Sequence, residues 1–208
     1  MALEIWLAFA VASLILLAIP GPTVMLAVSY ALGRGRASAW ATVPGVALGD
    51  FTAMTASLLG AGAILAASAS LFTALKLAGA AYLIWLGIQL WRAKPSLDRL
   101  QGGKYSESST WRMFWNCYVV TALNPKSILF FVTFVPQFID STRPLLMQFV
   151  ILEATFVGLA ALNIILWALL AGEMHARFHR PATMRLINRL GGSFLIAAGL
   201  LAATLRRA

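Results

Sequence analysis

Cysteine occurs once in the chain, at Cys117, which excludes an intramolecular disulfide and any cysteine-built metal cluster. Histidine occurs twice, and Asp and Glu together seven times. No nucleophile–base constellation, phosphate-cradling glycine loop or dinucleotide glycine motif is found, so the sequence offers no basis for an enzyme, for ATP-driven transport by this chain alone, or for a cofactor. The N-terminal "MALEIWLAFA" lacks a basic leading segment, carries Glu4 and stays apolar past any plausible cleavage point. It reads as a retained first helix and not as a removed signal peptide.

What the chain does have is apolar length. It is 61% hydrophobic and 11% charged over 208 residues, with a mean hydropathy of +0.84. A soluble domain of this size could not hide that surface, and an integral membrane protein in contact with a lipid bilayer is the reading that fits. Six stretches reach the roughly 20 residues needed to cross hydrocarbon: 5–30, 38–65, 71–91, 113–138, 145–170 and 186–205.

The formal charge of +9 is distributed by topology. Arg34 and Arg36 fall between the first and second stretches; Arg92, Lys94, Arg99, Lys104 and Arg112 between the third and fourth; Arg177, Arg180, Arg185 and Arg189 between the fifth and sixth. Only Arg143, Arg206 and Arg207 fall on the other side. The positive-inside rule makes the odd-numbered connections cytoplasmic and puts both termini outside, unless the first stretch is re-entrant. This is orientation, not a surface for nucleic acid.

Two of the apolar stretches are interrupted, at Pro20-Gly21-Pro22 and at Asn124-Pro125. A proline inside a helix costs about 3 kcal/mol, and hydrocarbon holds no water to serve the freed backbone groups. The interruptions recur in register. Pro20 and Pro125 lie 105 residues apart, and Asp50 and Glu153, the only acids deep in apolar runs, lie 103 apart. "GAAYLIWLG" (79–87) parallels "GGSFLIAAG" (191–199). The expected fold is therefore all-α and membrane-embedded, with six transmembrane helices as two three-helix repeats, about 1–94 and 112–208, joined by a polar connection at 95–111 in a single domain. Three spans is an odd number, so the second copy must be inverted. Broken helices at matching places in inverted halves point to a transporter site near the midplane.

Asn124 suits an N-cap and Pro125 the first helical position, and Gly21-Pro22 can serve the first half likewise. The two new helix starts would aim the backbone donors of Thr23, Val24, Lys126 and Ser127, with the Thr23 and Ser127 hydroxyls, at one anion, for which a carboxylate is the obvious candidate. Asp50 lies about 15–20 Å beyond Arg36 at 1.5 Å per residue. It must be paired there, with Lys126 the natural partner, or face a wet cavity, where it could hold an ammonium group, take up a proton, or both. Glu153 is its weaker counterpart for proton coupling. A carboxylate cradle facing such an acid describes an amino-acid site.

Other features read more plainly. Gly45-x-x-x-Gly49 and the pairs Gly79/Gly87 and Gly191/Gly199 suit close helix packing. Trp6, Trp91, Trp111 and Trp115 suit interface anchors. His175 and His179 have a metal-pair spacing, but among arginines they read as solvated loop residues, and no metal site is expected.

"PGP" in the first helix, "GVALGD" in the second, "LKLAGAAYLIWLGIQLWR" in the third and "NPKSILFFVTFVPQF" in the fourth together resemble the lysine exporter/resistance-to-homoserine (LysE/RhtB) family, over about residues 5–205. The resemblance implies export of amino acids or close derivatives across a bacterial inner membrane, driven by the proton gradient. By motif position it points to Pro20, Gly21, Pro22, Gly49, Asp50, Asn124, Pro125 and Lys126. Pro44-Gly45 departs from the glycine-rich run usual there and predicts a bend early in the second helix. Which amino acid is carried stays open, with a neutral one favoured by the scarcity of acids. A homodimer is compatible with the sequence. The alternatives are a metal-cation exporter, which would need several converging Asp, His or Cys side chains, and a non-transporting scaffold or assembly factor, which would leave Asp50 and Lys126 facing lipid or tightly paired.

Overall fold

The computed structural model describes residues 1–67, 69–92, 109–140, 143–178 and 181–204, which contain helices and short links and no strand. In chain order the helices are α1 (Leu3–Ala18), α2 (Pro22–Arg34), α3 (Ala39–Ala67), α4 (Ala69–Arg92), α5 (Thr110–Ala122), α6 (Pro125–Thr133), α7 (Leu145–Phe178) and α8 (Pro181–Thr204). Single 3-10 turns span Arg36–Ser38 and Val135–Phe138.

Both interruptions are real breaks. The chain bends by 56° between α1 and α2 and by 44° between α5 and the segment that starts at Pro125. By length and composition Leu145–Ala171 can cross a membrane, and each bent pair qualifies when taken as one span. Proline sits at the first position of both α2 and α6, where its missing donor costs nothing. Pro44 behaves otherwise: it lies inside α3 without ending it.

The helix ends depart from the sequence expectation at one place. α7 runs on to Phe178, so His175 and Arg177 belong to helical backbone and not to a loop, and Arg185 and Arg189 lie in α8. Helical hydrogen bonding continues through this polar segment because nothing in it, neither proline nor glycine after Gly172, stops it. His179, Arg180, most of the 95–111 connection, Arg206 and Arg207 lie outside the described residues.

Small residues set the helix spacing. A Cβ at Gly49 would stand 2.8 Å from Thr121 Cβ and 2.9 Å from Tyr118 O, so α3 lies directly on the α5 backbone. Gly87 on α4 meets Gly192 O on α8 in the same way, at 2.6 Å from an added Cβ. Among the tryptophans, Trp111 and Trp115 are exposed. Trp91 is exposed beneath Arg189 and donates to Ser193 Oγ. Trp6 instead ties α1 to α7, its Nε1 donating to Thr155 Oγ1 at 2.9 Å.

The interior divides into two apolar layers of different chemistry. One is aromatic: Phe130, Phe131 and Phe134 follow the α6 start, and Phe156 of α7 and Phe9 of α1 join them. The Phe131 and Phe156 rings meet edge to face, centroids 4.8 Å apart. The other combines small side chains, among them Val24, Ala27, Val28, Ala41, Val46, Ile164 and Ala168, with Tyr30 and Met113, and Phe114 and Trp167 pack against it. Between the two layers lies the polar level at which both helix breaks occur.

Candidate functional site

The break in α1–α2 leaves carbonyls without donors. In a continuous helix Leu16 O would accept from residue 20, but Pro20 has no N–H. Leu17 O and Ile19 O lose their partners because the chain turns away to start α2. Other helices supply the missing donors. Lys126 Nζ, from the first turn of α6, donates to Leu16 O at 3.1 Å and to Ile19 O at 3.0 Å. Asn163 Nδ2, from the middle of α7, donates to Leu17 O at 3.2 Å. Gly21 lies alongside the lysine, and a Cβ there would stand 3.4 Å from Nζ, in ordinary van der Waals contact.

The second break is tied to the first. Asn124 caps α6 as its position predicts, its Oδ1 accepting from Lys126 N at 3.1 Å. Its Nδ2 turns to Thr23 Oγ1 at 3.5 Å. Thr121, one residue before the end of α5, donates to the same Thr23 oxygen at 3.2 Å. The start of α2 and the start of α6 therefore meet at one level inside the bundle.

A cavity of about 30 Å³ lies at this meeting point. Gly21, Thr23, Val24, Asp50, Asn124, Lys126 and Ser127 line it, all of them residues singled out from the sequence. Ala160, Asn163 and Ile164 of α7 complete the wall. Pro22 and Pro125 do not line it; both are exposed on the outer side of their helix starts. The space suffices for water but not for an amino acid.

Asp50 is 3% exposed and faces this cavity. Among the described residues it has no hydrogen bond and no ion pair, and the lysine that could have paired with it is engaged with the α1 carbonyls instead. The fixed Asp50–Lys126 salt bridge weighed above is absent. Glu153 is placed differently: it accepts a hydrogen bond from Thr55 Oγ1 and does not line the cavity.

The donor inventory differs from the expected cradle at one atom. The first N–H groups of a helix have no intrahelical partner, which leaves those of Thr23 and Val24 in α2 and of Ser127 in α6. The Lys126 N–H is already taken by Asn124. Asn163 and Thr121 are additions that sequence reasoning missed. Asn163 left a signal, as the one amide within the apolar run "GLAALNIILWALL", whereas Thr121 left none.

Residues 14–206 match the family described as LysE type translocator. The homoserine/homoserine lactone efflux protein of Salmonella typhi is 33% identical over the whole of both chains. An uncharacterized membrane protein of Vibrio cholerae is 33% identical over 98% of each chain. The leucine efflux protein of Enterobacter sp. (strain 638) is 26% identical over 93% of this chain and 90% of its own. No solved structure matches.

Proposed function

The chain belongs to the LysE type translocator family, and on that premise we propose that it is a secondary transporter exporting amino acids or close derivatives across the bacterial inner membrane. Relatives named for efflux of homoserine, its lactone and leucine support small neutral substrates. The observation that carries the reading is Asp50: a buried carboxylate with no hydrogen bond or salt bridge among the described residues, facing a cavity where two half-helices begin.

In this reading the spans are α1–α2, α3, α4, α5–α6, α7 and α8, forming one domain of two inverted three-helix repeats, which the two matching breaks support. The basic residues after α2, around the α4–α5 connection and after α7 face the cytoplasm, so both termini and the aromatic layer face the periplasm. The substrate carboxylate rests on the free N–H groups of Thr23, Val24 and Ser127 and on the Thr23 and Ser127 hydroxyls, where helix dipoles favour negative charge. Gly21, Pro22, Asn124 and Pro125 shape and hold those helix starts, and Lys126 adds the opposite charge beside them. The substrate ammonium is held near Asp50. Protonation of Asp50 from outside, with Glu153 as the second acid on the route, weakens that hold and releases the amino acid, which amounts to proton antiport.

Because the cavity is smaller than any amino acid, loading requires one layer to part. Alternating access then proceeds by opening first one layer and then the other.

The alternatives find less support. Among the described residues no three of His, Cys, Asp and Glu come together, as a metal-cation exporter would need. Asp50 and Lys126 both line the cavity and make no direct salt bridge with each other, unlike the lipid-facing or tightly paired arrangement a scaffold would allow. The test is amino-acid counterflow and proton-driven efflux in proteoliposomes, for the parent chain and Asp50→Asn. The parent chain is expected to move homoserine or leucine and the variant to lose proton-coupled efflux at least tenfold. Unchanged coupled efflux in Asp50→Asn would remove Asp50 from the mechanism.

A further inference from the structure

The end of α1 is served by an unusual donor. The unpaired carbonyls at a helix C-terminus carry partial negative charge and favour a cation. Here the cation is the Lys126 side chain, whose Nζ lies 3.1 Å from Leu16 O and 3.0 Å from Ile19 O. The carbonyls are orphaned by Pro20 and by the turn that follows it, so they are acceptors whatever occupies them. Asp50 lines the same cavity and has no ion-pair partner. Two carbonyl oxygens and a nearby carboxylate make a site for a group with several N–H donors and a positive charge. A primary ammonium has three such donors.

An amino acid carries the same group. We propose that Leu16 O and Ile19 O, with Asp50 beside them on the same cavity, form a subsite for a primary ammonium group, and that Lys126 occupies the two carbonyls in the closed conformation as a tethered surrogate that an arriving substrate displaces. The inference rests on the export reading above and deepens it. The displaced Lys126 remains beside the starts of α2 and α6, where it meets the substrate carboxylate. One exchange of ammonium groups would thereby release α6 from the end of α1. That contact is one of the bonds joining the two breaks, so its loss couples substrate arrival to opening.

The tether would also compete with free amines for the site. A side chain anchored a few bonds away competes at an effective concentration in the millimolar range or above. Removing it should open the site to small primary amines, and only to those with N–H donors.

The experiment measures thermal unfolding of the detergent-solubilised full chain against methylammonium chloride, with tetramethylammonium chloride as the ionic control. In Lys126→Met methylammonium is expected to stabilise saturably, with an apparent Kd at least tenfold below that in the parent chain, and tetramethylammonium to have no such effect. A Lys126→Met chain that binds methylammonium no better than the parent, or no better than tetramethylammonium, overturns the proposal. If Lys126→Met does not fold, Lys126→Gln, whose amide can still donate to one carbonyl, is put through the same comparison. If neither folds unaided, recovery of folded protein with methylammonium but not tetramethylammonium supports the subsite, and no recovery overturns it. Failure of the export reading is separate: it appears as absent amino-acid flux in the parent chain, whatever methylammonium does to the variant.

Discussion

The hydroxyl of Thr121, at the end of α5, donates to the hydroxyl oxygen of Thr23, in the first turn of α2, across 3.2 Å. The two residues are 98 positions apart, yet each lies beside a helix break. Their bond helps hold the breaks at a common level, beside the cavity that Thr23 lines.

Thr121→Val removes that donor while Thr23 keeps Asn124 as a partner. The expected loss is about 0.5–1.5 kcal/mol of unfolding free energy. Thr23→Val strands two donors, Thr121 Oγ1 and Asn124 Nδ2, and is expected to cost more, about 1–3 kcal/mol. A double-mutant cycle by denaturant unfolding in detergent checks the pair; strict additivity would mean that the bond contributes nothing.

Gly49→Ala is expected to force α3 away from α5. The added methyl would meet Thr121 Cβ and Tyr118 O at less than 3.0 Å, and overpacking of this kind costs about 1–3 kcal/mol. Gly60→Ala, in the same helix with nothing within 4 Å, serves as the control and is expected to be neutral or to stabilise by up to about 1 kcal/mol. Equal melting temperatures for the two variants would refute the close-packing account.

Asn124→Ala deletes both the cap on Lys126 N and the donor to Thr23 Oγ1. A loss of about 1 kcal/mol is expected from the cap alone. Asn124→Ser keeps a capping oxygen and should recover most of it. Thermal unfolding of the two variants side by side decides the matter.

Glu153→Gln and Asp50→Asn are expected to separate binding from coupling. Glu153 bonds Thr55 and lies off the cavity, so its amide variant should retain counterflow within about twofold. Efflux driven by an imposed proton gradient should fall severalfold. Asp50→Asn should impair both. Glu153→Gln with undiminished gradient-driven efflux would limit the proton route to Asp50.

Much of the site was legible from local chemistry. Asn124-Pro125 announces a helix start because capping and a fixed φ act within three residues. Gly45-x-x-x-Gly49 announces a close approach because it leaves a flat stripe on one helix. Asp50 stands out because an ionisable group deep in an apolar run is expensive. Lys126 was legible only as a charge. Its sequence neighbours suggest a salt bridge with Asp50 or a free backbone donor, and the structure gives neither: the side chain reaches α1 carbonyls 107 and 110 positions away, and the backbone N–H belongs to Asn124. Trp6 looked like an interface anchor and proved to be a tie to α7, since an indole at a helix start suits both roles until its neighbour is known.

The sequence alone determined the membrane class, the places where helices break and the candidate acid, because hydropathy, proline sterics and the cost of a bare charge are properties of a residue and its immediate neighbours. Tertiary structure decided who answers the broken backbone. An orphaned carbonyl specifies only that some donor must come; Lys126 and Asn163 came because packing brings α6 and α7 against the end of α1. That same packing leaves Asp50 facing the cavity with no direct hydrogen bond or salt bridge among the described residues.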